Sequence, residues 1–205
     1  MAQGAPAKFS RRGWLLAGIA IPLFRARATP SLNVTFDGDD LHVLAPELHF
    51  LTGKPLARLK DADTVVFVSQ LTLFDFRHAP LRRAPERLTI SYDLWEEKFK
   101  VVLAIDRRSV EGLSAAQAEA WCVDKLAISA LGIDPFRPFW LRLELRTANP
   151  REISSVAGDT GISIRGLIEL FGRKAGADES RWTLDAGPLR LADLPRKPGF
   201  RTRNE

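Results

Sequence analysis

The sequence predicts an α+β fold: a mainly antiparallel sheet, curved or layered, with one longer and one short helix packed on it. Three observations favour this class. Period-two alternation over 87–94, 98–105 and 139–147 indicates strands that bury one face. The long apolar run at 63–76 indicates a central strand covered on both faces. Ser-x-x-Gln spacing at 114–117 is typical of a capping box, which begins the longer helix.

A first hairpin is predicted before the central strand. Residues 31–36 and 41–44 alternate around Asp37-Gly38-Asp39-Asp40, and an Asp-Gly turn between alternating runs is a hairpin signal. The acids of this turn lack the full ligand spacing of a calcium-binding loop, so turn chemistry explains them better. Residues 46–60 then predict a short helix or loop with a break at Gly53-Lys54-Pro55.

A loop and a second hairpin are predicted after the central strand. The loop runs from His78 to Arg87 and contains two prolines. Trp95-Glu96-Glu97 joins the two hairpin strands. Glu96 and Glu97 beside Asp93 have the residue types of a glycosidase acid pair. Carboxylates at a hairpin turn are ordinarily solvated, and we prefer that interpretation.

The C-terminal half predicts helix, strand, helix and strand. The capped helix is expected to run from Ser114 to about Ala130 and to end at Gly132. In the strand 139–147, one face is apolar and the other carries Trp140, Arg142, Glu144 and Arg146. A short helix over 162–171 and a last strand or hairpin over 181–191, around Gly187-Pro188, complete the prediction.

Residues 1–28 have the pattern of a bacterial signal peptide. A basic segment without acids precedes eleven apolar residues, Trp14–Phe24, whereas a spanning helix needs about 20. Ala26 and Ala28 form an Ala-x-Ala cleavage site, so we expect a periplasmic or secreted chain that begins near Thr29. Ser10-Arg11-Arg12-Gly13-Trp14-Leu15 resembles the twin-arginine export motif, with Trp14 where Phe is usual; the general secretory route is the alternative.

The signal segment accounts for the basic excess of the chain. The chain has 30 Lys and Arg against 25 Asp and Glu. Five of those bases and no acid lie within 1–28, so the remainder has 25 of each and no net charge. A basic balance would favour nucleic acid as a partner. That inference does not apply to the exported part, and we expect neither nucleic-acid binding nor a spanning membrane helix there.

Length and cysteine content predict one packed domain, 29–195, followed by a disordered basic tail, 196–205. Cys122 is the one cysteine, so no internal disulfide can form. It lies in an apolar helical pattern, which favours a small buried residue over a reactive thiol.

Sequence motifs for common catalytic sites are missing. There is no Gly-rich phosphate loop, no paired-Cys motif, no His-Glu-x-x-His and no Gly-x-Ser-x-Gly. His42 and His49 are seven residues apart, and two histidines without a third ligand make a weak metal site. We therefore predict no catalytic residue, no metal and no cofactor.

Basic and aromatic residues supply the candidate binding site. The stretch around 77–87 is the densest basic stretch of the exported part, able to bind an acidic partner or a lipid head group, or simply a solvated connection. Trp95, Trp140 and Trp182 fall at strand ends or on polar faces, where they can line a groove or pack on a helix. The candidate binding residues are Arg77, His78, Arg82, Arg83, Trp95 and Trp140.

The order of features over residues 31–146 resembles a bacterial family of exported or membrane-anchored proteins known as a domain of unknown function. The resemblance is carried by Gly53-Lys54-Pro55-Leu56, the strand 65–74, and Leu88–Leu94 followed by Phe99-Lys100-Val101. It implies an accessory extracytoplasmic role and brings no catalytic residues.

The leading hypothesis is a non-enzymatic extracytoplasmic domain. Its partner is expected to be another extracytoplasmic or membrane protein, or an apolar ligand, bound through the sheet face. The alternative is a small exported hydrolase whose site residues are dispersed in the sequence. A membrane-attached subunit that keeps its N-terminal segment is a third hypothesis.

Overall fold

The computed structural model describes residues 31–148, 157–158, 161–162, 171 and 179–196. The elements are β1 (Asn33–Asp37), β2 (Asp40–Leu44), α1 (Gly53–Lys60), β3 (Val65–Phe74), β4 (Pro80–Asp93), β5 (Lys98–Leu103), β6 (Arg108–Leu113), α2 (Ala115–Asp124), β7 (Ala127–Ser129), β8 (Phe139–Thr147), β9 (Ala157–Gly158), β10 (Gly161–Ile162), β11 (Arg181–Leu189) and a 3₁₀ turn (Leu191–Asp193). These mainly antiparallel sheets with two short helices confirm the α+β class.

Three sequence predictions fall largely outside the described residues. These are the signal peptide, 1–28; the tail, 196–205, of which only Arg196 is described; and the helix 162–171, of which only Ile162, in β10, and Phe171 are described. Arg196 forms a β-bridge with Phe36. Within the described part of the chain, no helix is long and apolar enough to cross a bilayer.

A six-stranded antiparallel sheet in the order β11-β8-β3-β4-β5-β6 forms the main layer. β3 lies in its interior, and its residues from Phe67 to Leu73 are all buried, which confirms the prediction of a strand covered on both faces. β4 and β5 form the predicted second hairpin, with Tyr92 opposite Phe99. In β8 the predicted apolar face, Phe139 to Leu145, is buried against the core.

A smaller sheet and the two helices cover one face of the main sheet. β1 and β2 form the predicted first hairpin, and β7 adds a third strand to it. α2 packs against β2 and β5, whereas α1 packs against β3 and β4. The core cluster joins both sheets and both helices through fully buried side chains such as Leu41, Leu59 and Cys122. Burying a leucine side chain of this kind contributes about 1.5–3 kcal/mol.

The loop predicted from His78 to Arg87 is wrong. β4 begins at Pro80 and pairs with β3 as far as Ile90. It pairs with β5 only from Leu88 onward, so its first half has a strand on one side only. Proline lacks an N–H donor and is tolerated where no neighbouring strand needs one. The two prolines therefore mark a half-paired strand and not a connection.

The capped helix is shorter than predicted. Its capping box between Ser114 and Gln117 is present, but α2 ends at Asp124 and not near Ala130. Residues 127–129 form β7 instead, with Ile128 opposite Leu41 of β2. Leu126, Ile128 and Ala130 alternate, and all three are buried. The sequence of 126–130 fits both a helical period and the period of two of a strand, and pairing with β2 selects the strand.

Three smaller features also differ from or extend the prediction. The expected break at Gly53-Lys54-Pro55 is the first turn of α1, where proline is tolerated because its N–H would be unpaired there. β6 was not predicted, since its largely exposed residues give no apolar alternation. β11 runs through Gly187-Pro188 as a single strand with a shift of register between Ala186 and Leu189.

Candidate functional site

The turn between β3 and β4 presents Phe76 to solvent. Oδ1 of Asp75 accepts hydrogen bonds from the backbone N–H groups of Arg77, at 2.9 Å, and Ala79, at 2.8 Å. Aspartate side chains build turns readily in this way. His78 completes the turn with a left-handed φ of 61°. Phe76, in this hydrogen-bonded turn, is 44% exposed.

Two guanidinium groups lie over the exposed Phe76 ring. The Cζ atom of Arg77 is 5.1 Å from the ring centroid, and that of Arg137 is 5.5 Å from it. Cation–π contacts at exposed sites contribute about 0.5–1 kcal/mol each. The arrangement places two positive charges beside an apolar surface, which suits a ligand that is both apolar and acidic.

The loop between β7 and β8 provides further exposed apolar residues. Leu131 is 57% exposed and Phe136 is 76% exposed. Asp134 orders this loop, because its carboxylate accepts a hydrogen bond from Phe136 N at 3.0 Å and pairs with Arg137 at 3.5 Å. The loop is thus folded on itself while its apolar side chains face solvent.

Two contacts fasten the same loop to the rest of the fold. The Arg82 guanidinium of β4 donates hydrogen bonds to the carbonyl oxygens of Ser129, at 2.9 Å, and Leu131. Ala192 N, in the 3₁₀ turn, donates to the Pro135 carbonyl at 3.1 Å. A loop held in this way loses less conformational entropy on binding than a free one.

A groove of about 360 Å³ lies between this turn and this loop, and we call it the apolar groove. Its apolar walls are Phe76, Leu81, Ile133, Pro138 and Phe139, and the charged residues Asp75, Asp134 and Arg137 also line it. Leu81 is also 52% exposed. Of the eight large apolar side chains that are exposed among the described residues, four therefore lie in or beside the groove. Exposed clusters of this kind mark interaction sites.

A second groove of about 570 Å³ adjoins the first at Pro138. Its walls include Trp140 of β8 together with Pro188 and Leu189 of β11. The His78 ring packs on Trp140 with the ring centroids 4.3 Å apart. The predicted residues His78 and Trp140 are therefore in direct contact at the end of the sheet that carries the apolar groove.

The structure brings together some of the six predicted binding residues and separates the others. Arg77, His78 and Trp140 lie at the groove end of the sheet. Arg82 lies near them, but its guanidinium holds backbone carbonyls. Arg83 is exposed and pairs with Thr72. It directly follows Arg82 in β4, and successive residues of a strand point to opposite faces of the sheet. Trp95 is at the other end of β4, in the turn to β5.

Sequence reasoning missed the residues that give the site its apolar character. The sequence pattern places Phe76 at the end of the central strand and gives Phe136 and Arg137 no role. The available signal was Phe136 between Pro135 and Pro138, because an aromatic residue in a short proline-bounded loop has little chance of being buried.

A buried carboxylate organises a second cluster away from the groove. Glu119 of α2 is 6% exposed, accepts a hydrogen bond from Leu51 N at 2.7 Å and contacts His49 Nδ1 at 3.0 Å. This hydrogen bond and the negative charge of Glu119 raise the pKa of His49. His42 lies in β2 opposite Ala127, and the described residues contain no group of three or more metal ligands. The cluster fastens the 45–52 loop to α2.

The acidic residues considered as a glycosidase pair, Glu96 and Glu97 beside Asp93, lie in a turn that Asp93 stabilises. Oδ1 of Asp93 accepts the backbone N–H groups of Trp95 and Glu96, and these bonds lower its pKa. A catalytic general acid needs a raised pKa, whereas the pKa of Asp93 is lowered. A polar cavity of about 440 Å³ lies beside this turn, and there Lys100 pairs with Glu111 at 3.3 Å. These exposed charges fit solvated ion pairs.

Cys122 is a buried apolar residue, as predicted. Its side chain is fully buried in the core cluster. Burial, followed by the charge of Glu119, raises the pKa of the Cys122 thiol to about 12. A thiol of that pKa stays protonated at neutral pH and is a poor nucleophile.

Comparison of the chain with protein-family models, with curated proteins and with solved structures found no match. The resemblance to a family of uncharacterised exported proteins therefore stays a prediction.

Proposed function

We propose that this protein is a non-enzymatic extracytoplasmic domain that binds a partner protein through the apolar groove. The observation that supports this most directly is the clustering of Phe76, Leu81, Leu131 and Phe136 at one end of the sheet, with two guanidiniums over Phe76. Aromatic residues and arginine are the types that supply most of the energy at protein interfaces. The signal-like segment 1–28 supports the extracytoplasmic location.

The chemistry of the groove defines the partner that it would accept. Apolar walls favour an apolar side chain, and the charges of Arg77 and Arg137 favour a carboxylate next to it. The Arg82 and Ala192 hydrogen bonds keep the surface in place before binding. An apolar small molecule with an acid group would satisfy the same requirements, and native mass spectrometry of the purified chain would show it as added mass.

The proposal is tested by photo-crosslinking in cells that export the protein. A photoreactive amino acid at Phe136 is expected to capture a protein, and Arg137→Glu in the same chain should abolish the product. The matched control is the same probe at Leu44, an exposed apolar residue on β2. Equal capture from both positions, or capture that survives Arg137→Glu, would show that the groove is not the binding surface.

A further inference from the structure

The turn between β4 and β5 carries the most exposed large apolar side chain among the described residues. Trp95 is 96% exposed, and its neighbour Leu94 is 52% exposed. The turn is ordered, because Asp93 Oδ1 accepts the N–H groups of Trp95 at 2.8 Å and Glu96 at 3.0 Å, and Glu97 has a left-handed φ of 54°. We call residues 93–97 the tip. An indole displayed on a fixed turn has the character of an interface anchor.

We propose that the tip of one copy docks in the apolar groove of a second copy, so that the protein associates head to tail. This inference rests on the proposed function, because it uses the same groove and names a second copy of the chain as its partner.

The tip is acidic, whereas the groove end carries two arginines, Arg77 and Arg137, beside two carboxylates, Asp75 and Asp134. Trp95 is followed directly by Glu96 and Glu97, both exposed. At the groove, the guanidiniums of Arg77 and Arg137 lie over the Phe76 ring, each with its Cζ atom within 6 Å of the ring centroid. An indole on the apolar wall would bring the glutamates toward these arginines. Complementary charges of this kind direct the encounter of the two surfaces and fix their register.

The acids within the groove are already engaged by their own loops. Oδ1 of Asp75 accepts two turn N–H groups. Asp134 accepts the Phe136 N–H and pairs with Arg137. Arg137 therefore has one acidic neighbour, while the Arg77 guanidinium lies on Phe76. The carboxylates of an incoming tip would add to this network.

The fold separates the two surfaces so that a single copy does not join them. β4 has 14 residues, from Pro80 near the groove to Asp93 at the tip. At about 3.3 Å per residue it spans about 40 Å. Docking between unlike surfaces is heterologous, and repetition gives a chain or a closed ring.

The groove volume of about 360 Å³ is within the range of sites that enclose a small ligand, about 300–1,000 Å³.

Sedimentation velocity over a wide concentration range tests the inference. The full chain as purified is expected to increase in mass with concentration and to pass beyond a dimer. Trp95→Ala should weaken association by about 30-fold or more, the effect expected of an interface anchor. Leu44→Ala is the matched control, because it trims an exposed apolar residue in neither surface. A wild-type chain that stays monomeric, or Trp95→Ala association equal to wild type, overturns the proposal.

Complementation gives a sharper test. Trp95→Ala keeps the groove, and Arg137→Glu keeps the tip. Each variant alone is expected to be monomeric, whereas an equal mixture should form a heterodimer and stop there, since one docking is possible per pair. Circular dichroism of each variant is the control that it is folded. A folded mixture that stays monomeric contradicts head-to-tail docking.

The two proposals fail separately. If the wild-type chain is monomeric but the Phe136 crosslink still captures a different protein in an Arg137-dependent manner, self-docking is wrong and the proposed function holds. If neither self-association nor Arg137-dependent capture is found, both are wrong.

Discussion

Gly187 of β11 lies against the indole of Trp140 on the neighbouring strand β8. A Cβ on Gly187 would be 2.5 Å from Cδ1 and 2.8 Å from Cγ of Trp140. Gly187 also has a φ of +142°, a conformation that residues with side chains rarely adopt. The missing side chain therefore leaves room for the Trp140 ring, which also packs on His78 and lines the second groove.

Gly187→Ala is expected to destabilise the protein by about 2 kcal/mol, because the new methyl group overlaps the indole and the φ angle is strained. Urea denaturation followed by tryptophan fluorescence measures the effect. In a Trp140→Ala background the overlap is gone, so the added cost of Gly187→Ala should fall. An equal cost in both backgrounds would assign the effect to backbone strain and to the Phe139 carbonyl oxygen, 3.1 Å from the new Cβ.

The contact of His49 with Glu119 predicts a stability contribution that fades as the pH rises. Since the pKa of His49 is raised in the folded state, its contribution is complete below the ordinary value of 6.5 and is lost as the pH rises through the folded value. His49→Gln should be less stable than wild type by about 1 kcal/mol or less at about pH 5.5, with a smaller difference at about pH 8.5. Urea denaturation at both pH values measures it.

The matched control for His49 is Leu44→Ala, because it trims an exposed apolar residue and changes no ionisable group. Its stability difference from wild type should be the same at both pH values. A His49→Gln difference that increases with pH would show that the Glu119 contact does not stabilise the protonated ring.

Glu86 of β4 is a second buried carboxylate whose removal has a predictable cost. It is 5% exposed and accepts backbone N–H groups of Arg87 at 2.8 Å, Ile105 at 2.9 Å and Asp106 at 3.2 Å. Glu86→Ala leaves these donors without an acceptor and should lower the free energy of unfolding by about 1–3 kcal/mol. Chemical denaturation measures it, and Glu86→Gln, which keeps an acceptor oxygen, should cost less.

The pH dependence of Glu86 follows from the sign of its pKa shift. Burial raises the pKa of Glu86, and the three N–H groups only partly oppose this. A raised folded pKa gives stability that is complete below the ordinary value of 4.5 and is lost as the pH rises through the folded value. Wild type should therefore lose stability relative to Glu86→Gln between about pH 4 and pH 8. A relative gain over that interval would contradict the shift.

The proposed export of the chain predicts a defined N-terminus. Intact mass and N-terminal sequencing of the protein from the periplasm should give a chain that begins at Thr29. Arg11→Lys with Arg12→Lys should stop export if the twin-arginine route is used. Continued export of that variant would indicate the general secretory route, and an uncleaved chain held at the membrane would support an N-terminal anchor instead.

Local patterns in the sequence were sufficient for much of the fold. Alternation identified the second half of β4 as well as β5 and β8. The Asp-Gly turn identified the first hairpin, and Ser114 with Gln117 identified the start of α2. Where the prediction of secondary structure was wrong, pairing with another strand determined the structure. The stretch 127–129 could continue a helix or alternate as a strand, and only the free edge of β2 decided for the strand.

The candidate site was predicted less completely than the fold. Arg77, His78 and Trp140 were chosen for their residue types, and the β3–β4 turn and the start of β8 bring them together. Trp95 was chosen for the same reason and lies at the opposite end of β4. Residue type indicates what a side chain can bind, whereas its neighbours are determined by strand register, which is not local information.

What the sequence determined by itself was the α+β class, the absence of an internal disulfide and the origin of the basic excess in 1–28. These follow from composition and from short-range periodicity. The tertiary structure decided which exposed groups form one surface: Phe76 and Arg137 meet because antiparallel strands bring the end of β3 beside the beginning of β8. The physical reason is that burial and charge act through space, between residues that lie some sixty positions apart in the chain.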